Sequence, residues 1–195
     1  MLTVVFFLLG AYALPPMITT ASCPDNHDGW PFMGNLNSPS YLLKRNFNTD
    51  PLGRDLTKCV SFTTTFADKS QNKIEQNIKY YNKSSQDWKT FRKTYSVKSW
   101  GTGETESDYF ESPYPTGKPL TYLVLYAANE CLVAKLLYRS NVNHRACEFL
   151  VTKGYFENSE SSKCCDNVYT TSCEKTVQVL YDPIDCPALE KSTKG

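Results

Sequence analysis

Glu148 is the residue whose position most plainly implies chemistry. It stands between Cys147 and Phe149 in the apolar run ACEFLVT, residues 146–152. In a strand, side chains alternate between faces, so Glu148 shares a face with Leu150 while Cys147, Phe149 and Val151 share the other. An acid on an enclosed face must be paired or meet a cationic ligand; on an open face it is merely solvated. Asp108, beside Tyr109 and Phe110, is a second acid of this kind. Trp88, Trp100, Tyr122 and Tyr126 offer ring faces to a cation, and the same rings also serve as ordinary sheet packing. All of this is binding chemistry. The sequence carries no Gly-x-Ser-x-Gly, no His-Glu-x-x-His and no phosphate-binding glycine loop. Gly101-x-Gly103 lacks a third glycine and reads as a turn. His27 and His144 stand among Asn, Asp and Arg and read as loop residues. Neither an enzymatic activity nor a cofactor is expected.

The elements that must position these residues are strands. Tyr41–Phe47, Cys59–Phe66, Lys73–Tyr81, Trp88–Trp100, Asp108–Glu111, Leu120–Ala127, Cys131–Tyr138, Ala146–Thr152 and Thr176–Tyr181 are rich in aromatic and β-branched residues. Turn signals such as Asn48-Thr49-Asp50-Pro51 and Gly101-Thr102-Gly103 separate them. About eight or nine short strands point to an antiparallel sandwich or barrel, and a small barrel can hold one ligand in its mouth. Ser159–Cys173 lacks the alternation, and the spacing predicts a short helix over its paired cysteines. The stretch from Asp25 to Ser40 reads as a loop or single helical turn plugging one barrel end.

The composition is that of one globular domain: 195 residues, 41% hydrophobic and 13% aromatic. Twenty-one Lys and Arg against 20 Asp and Glu leave a net charge of +1, without the basic excess that nucleic acid wants. Leu2–Leu14 has the length of a signal-peptide core and is too short for a membrane span. Small residues allow cleavage after Ala13 or Ala21, and Ala21 leaves the more sensible signal. The reading is therefore a signal peptide over 1–21 and a secreted domain over 22–195, with no membrane partner and a monomeric state. Secretion makes the 8 cysteines readable as four disulfides. Spacing cannot choose among their 105 pairings. Without a Cys-x-x-Cys pair, metal binding is the weaker alternative. Asn82-Lys83-Ser84 is an N-glycosylation acceptor sequence, which implies an exposed turn.

Several segments together resemble the tick salivary lipocalins of the histamine-binding family. They are Tyr41-Leu42-Leu43-Lys44-Arg45-Asn46-Phe47-Asn48-Thr49-Asp50-Pro51 with Cys59-Val60, then Leu125-Tyr126 leading to Cys131, then Cys147-Glu148-Phe149-Leu150-Val151. Cys164-Cys165-Asp166-Asn167-Val168-Tyr169, Cys173, Val179-Leu180-Tyr181-Asp182 and Cys186 complete the likeness, which runs from about residue 30 to residue 186. The resemblance implies an eight-stranded antiparallel lipocalin barrel with a C-terminal α-helix packed outside. It implies the pairs Cys23–Cys164, Cys59–Cys186, Cys131–Cys165 and Cys147–Cys173. It gives Glu148 the role of the family's inward glutamate and adds Tyr41 to the candidate ligand contacts. The function implied is sequestration of a small host mediator, a biogenic amine such as histamine or serotonin. The alternatives are a lipid mediator, with Arg92 or Lys98 for its carboxylate, and a protein-binding modulator of host immunity or complement.

Overall fold

The structure is a computed structural model that describes residues 23–48, 58–100, 107–114, 117–157, 159–173, 175–176 and 178–192. The expected signal peptide and its cleavage sites lie outside the described residues. Nine strands form one antiparallel sheet: β1 (Ser40–Arg45), β2 (Lys58–Asp68), β3 (Lys73–Asn82), β4 (Asp87–Lys98), β5 (Tyr109–Ser112), β6 (Leu120–Ala127), β7 (Cys131–Leu136), β8 (Cys147–Thr152) and β9 (Gln178–Val179). The order is β2-β3-β4-β5-β6-β7-β8-β1-β9, and β1 also pairs with β2. That last pairing closes the first eight strands into a barrel and removes their free edges. The two-residue β9 adds to β1 from outside the ring.

Alternation decides what faces inward. In β3, Ile74, Gln76, Ile78 and Tyr80 are buried and their neighbours half exposed. In β4, Tyr95 and Val97 are buried, while Thr90, Arg92, Ser96 and Lys98 are exposed. One hydrophobic cluster fills the barrel; it includes Leu42, Ile78, Phe110, Leu132 and Leu150. A second lies outside β7 and β8 and joins Val133, Phe149 and Val151 to Tyr126, Cys165 and Tyr169.

The helix α1 (Trp30–Met33) is the plug foreseen for one barrel end; Phe32 and Met33 are buried there. Thr64 Oγ1 and Gln76 Nε2 donate to the Met33 carbonyl at 2.9 and 3.3 Å and hold the plug to β2 and β3. Gly29, just before the plug, permits a close approach. A Cβ there would stand 2.6 Å from Phe110 and 2.9 Å from Val124. Gly29→Ala is expected to overpack this end by about 1–3 kcal/mol, lowering the thermal midpoint by roughly 3–10 °C in a calorimetric scan.

The helix α3 (Ser159–Ser172) covers the outer cluster, and the shorter α2 (Lys153–Glu157) precedes it. α3 is rich in Ser, Thr, Asn and Cys, which are weak helix formers. Its attachment is largely covalent. Cys164 bonds Cys23, Cys165 bonds Cys131 in β7, and Cys173, just past the helix, bonds Cys147 in β8. Successive residues on a helix point about 100° apart, so the adjacent pair reaches the N-terminal segment and the barrel wall separately. The fourth bond, Cys59–Cys186, ties β2 to α4 (Asp185–Ser192). These four pairs are the ones implied by the family resemblance. Lys44 adds an ion pair to Asp166 at 3.0 Å, with its ammonium over the Phe149 and Tyr169 rings.

Several element readings need correction. The seventh strand ends at Leu136, and Leu137–Arg139 form a 3₁₀ turn. The last strand is only Gln178–Val179. The fifth starts at Tyr109, one residue later than expected. The helices α2 and α4 have no counterpart in the sequence reading.

Candidate functional site

A pocket opens among the side chains inside the barrel. Its walls are mainly apolar: Met33 at the plug, Phe62, Ile78, Phe91, Phe110, Leu132 and Leu150 around the sides. Four polar side chains line it as well: Lys93, Tyr95, Tyr122 and Glu148.

Glu148 is placed there by the alternation of β8, whose Phe149 and Val151 turn outward to α3. Its side chain lines the pocket and is half-buried. Its register partner on β1 is Arg45. The Arg45 guanidinium is almost fully buried and donates to Gln178 Oε1 at 2.7 Å and to the Asn48 carbonyl at 2.8 Å. Tyr122 comes from β6 and stands edge-on to Tyr95 at 6.0 Å and to Tyr138 at 5.8 Å. The Tyr138 hydroxyl donates to the Tyr122 oxygen at 3.3 Å. Burial pushes the Tyr122 hydroxyl well above the ordinary phenol range. The nearby Tyr138 and the negative charge of Glu148 push the same way. Tyr122 therefore stays a neutral phenol that can accept and donate.

Lys93 is the residue that the sequence reading missed. Its ammonium donates to the Tyr122 oxygen and lies 4.2 Å from the Tyr122 ring centre and 4.9 Å from that of Tyr95. The bases named for a ligand carboxylate, Arg92 and Lys98, both point outward and are exposed. The signal was present: Lys93 has the same parity as Phe91, Tyr95 and Val97. Phe91 and Lys93 also line a shallow outer groove with Ser112, Pro113 and Leu120. Pairing of β4 with β5 stops at Ser96–Glu111, and Pro113 follows, unable to donate to a ladder.

The other candidates lie elsewhere. Asp108 holds the β4–β5 connection, accepting from Ser99 Oγ at 3.0 Å and from the Trp100 N–H at 2.9 Å. Trp100 is 65% exposed and stacks obliquely on Tyr109. Tyr126 faces α3, because a bulge between Val124 and Tyr126 inserts one residue and reverses the alternation. Tyr41 and Trp88 line a groove on the outside of the barrel with Tyr181, Pro187 and Glu190. There Tyr41 stacks on Tyr181 at 4.0 Å, and the Lys79 ammonium lies over Trp88. His27 anchors the N-terminal segment, its Nδ1 3.1 Å from the Val124 carbonyl oxygen. Among the described residues no group of His, Cys, Asp and Glu side chains is arranged to hold a metal ion. Nor is any described helix long and apolar enough to cross a membrane.

Comparison with known proteins agrees with this architecture. Residues 19–187 match the family model described as tick histamine binding protein. Among solved structures, the chain is similar to japanin from Rhipicephalus appendiculatus bound to cholesterol. The TM-score is 0.53 and the identity 18%, over 78% of this chain and 97% of that one. It is similar to AM182 in complex with serotonin, with TM-score 0.56 and 15% identity over 84% and 96% of the two chains. It is also similar to the allergen Per a 4 from cockroaches, with TM-score 0.53 and 17% identity over 77% and 91%. At these identities the likeness speaks for the fold. No curated protein matches.

Proposed function

Since the chain belongs to the tick histamine binding protein family, we propose that it is a secreted, non-enzymatic lipocalin that sequesters a small host mediator, an amine of the histamine or serotonin type. The observation that carries this reading is Glu148 in the wall of a mainly apolar cavity that Tyr95 and Tyr122 also line. A carboxylate supplies the counter-charge for an ammonium, and the rings supply faces for a flat ligand. Such a protein works one to one. It holds its ligand and needs no turnover. The four disulfides suit an oxidising, extracellular setting. Asn82 lies at the exposed β3–β4 turn, where its Oδ1 accepts from the Ser84 N–H at 2.8 Å, and we assign it as the glycosylated residue.

Lys93 supports a second reading, an acidic lipid whose carboxylate meets the ammonium while its chain fills the apolar barrel. AM182 is solved with serotonin, an amine, and japanin with cholesterol, a neutral lipid. Isothermal titration with histamine, serotonin and a long-chain fatty acid separates the readings. The amine reading expects saturable binding of at least one amine with unit stoichiometry, and no hydrolytic or redox turnover of it. Binding of the fatty acid alone supports the second reading instead.

A further inference from the structure

One edge of β4 is open over half its length. The strand runs from Asp87 to Lys98, but β5 pairs only with Ser96, Val97 and Lys98. On its other side β4 pairs with β3 without a break, from Lys73–Ser96 to Asn82–Asp87. The Val97 N–H donates to the Asn72 carbonyl at 2.7 Å. The odd-numbered residues of β4 therefore exchange their backbone bonds with β3, and the even-numbered ones face the β5 side. Thr90, Arg92 and Thr94 thus direct their N–H and C=O groups to a side where no described strand pairs with them. The outer groove lined by Arg92, Thr94, Pro113 and Leu120 lies there. An unpaired edge of this kind is a template for another strand.

The side chains decide which strand fits. Arg92 is exposed on the outer face, between Thr90 and Thr94. Residues directly opposite in an antiparallel pair share a face, so an incoming residue opposite Arg92 lies beside its guanidinium. A second copy of this chain, pairing the same edge about its middle, would set Arg92 opposite its own symmetry mate. Like charges so placed are destabilising. The exposed Lys118, two residues before the groove residue Leu120, adds to the positive charge. An acid opposite Arg92 reverses the sign. The residues on either side of that acid turn to the other face, towards Phe91, which lines the groove and is half-buried. Apolar residues suit those positions.

We propose that the β4 edge over residues 90–94 docks an extended segment of a partner protein, an acid flanked by apolar residues, which adds to the sheet as a strand. The proposal does not depend on what the cavity binds. Two peptides serve as probes, Thr-Val-Glu-Val-Thr and its twin with Lys in place of Glu, each labelled with fluorescein and amidated. They are titrated into the full disulfide-bonded chain and followed by fluorescence anisotropy. The Glu peptide should bind at least about tenfold more tightly than the Lys peptide, and Arg92→Glu should reverse that order. Thr94→Pro keeps the charge and removes an edge N–H that β3 does not use. It should weaken binding of the Glu peptide about fivefold. If the proline variant folds poorly, slowed amide exchange at Thr90, Arg92 and Thr94 in the complex gives the same readout. Binding that ignores Thr94→Pro and leaves those amides unprotected is electrostatic contact without strand addition, and it overturns the proposal. Absence of binding by either peptide at about 1 mM overturns it as well. In sedimentation velocity the chain should be monomeric. A dimer dissolved by Thr94→Pro would make a second copy the occupant and would equally overturn the acidic partner.

Discussion

Glu148→Gln is expected to weaken amine binding by roughly ten- to a hundred-fold, the equivalent of about 1.5–3 kcal/mol. The exchange keeps the shape of the side chain and removes its charge. The loss is large because the cavity offers little else to an ammonium: Phe62, Phe110, Leu132 and Leu150 cannot replace a carboxylate. A hydrogen bond to a charged group in such surroundings is worth more than a neutral one. Lipid binding should be untouched or improved, since the exchange takes a negative charge away from a ligand carboxylate. Calorimetric titration of both proteins with serotonin and a fatty acid checks the opposite signs. Equal amine affinity in the two proteins would mean that the ammonium lies elsewhere. Asp108 would not be the substitute, because it is tied to Ser99 and Trp100 in a connection between strands.

The second large effect concerns stability. Replacing Cys59 and Cys186 together by Ser should cost about 2–4 kcal/mol, measured as a lowered denaturant midpoint. This bond spans 127 residues, and longer loops lose more entropy when closed. It is also structurally lonely. Cys164, Cys165 and Cys173 share the attachment of α3 among three bonds, whereas α4 has one. Its ion pairs to the barrel, Lys58 to Asp185 and Lys79 to Glu190, are partly exposed. Such ion pairs contribute little each. Loss of the disulfide should therefore free α4 and open the outer groove of Tyr41, Trp88 and Tyr181. A sharper rise in hydrogen exchange over residues 185–192 than in β7 or β8 is the expected signature.

The barrel was legible because its strands alternate. Phe91, Tyr95 and Val97 mark one face of β4, and Glu148 with Leu150 mark one face of β8. The same rule would have sent Lys93 inward, but a lysine among Arg92 and Lys98 reads as part of a solvated face. Its true setting depends on Tyr122, contributed from another strand. Tyr126 shows where alternation fails: one bulge residue, Leu125, turns it from the cavity to the helix. Trp88 has the outward parity of Arg92 and Lys98, and its partners Tyr181 and Glu190 come from the far C-terminus. No local pattern announces a contact over that separation. The disulfide pairs are of the same kind. Spacing left all pairings open, and only the family resemblance chose among them. The helix α3 was visible as a break in alternation, whereas α2, five residues with Gly154 inside it, is too short to show a helical period.

Native mass spectrometry of the disulfide-bonded protein with histamine and serotonin tests the central claim most directly. The account predicts a complex of one amine with one chain, its occupancy strongly reduced in Glu148→Gln. A protein that stays ligand-free with both amines, at concentrations where its fold is intact, would contradict it.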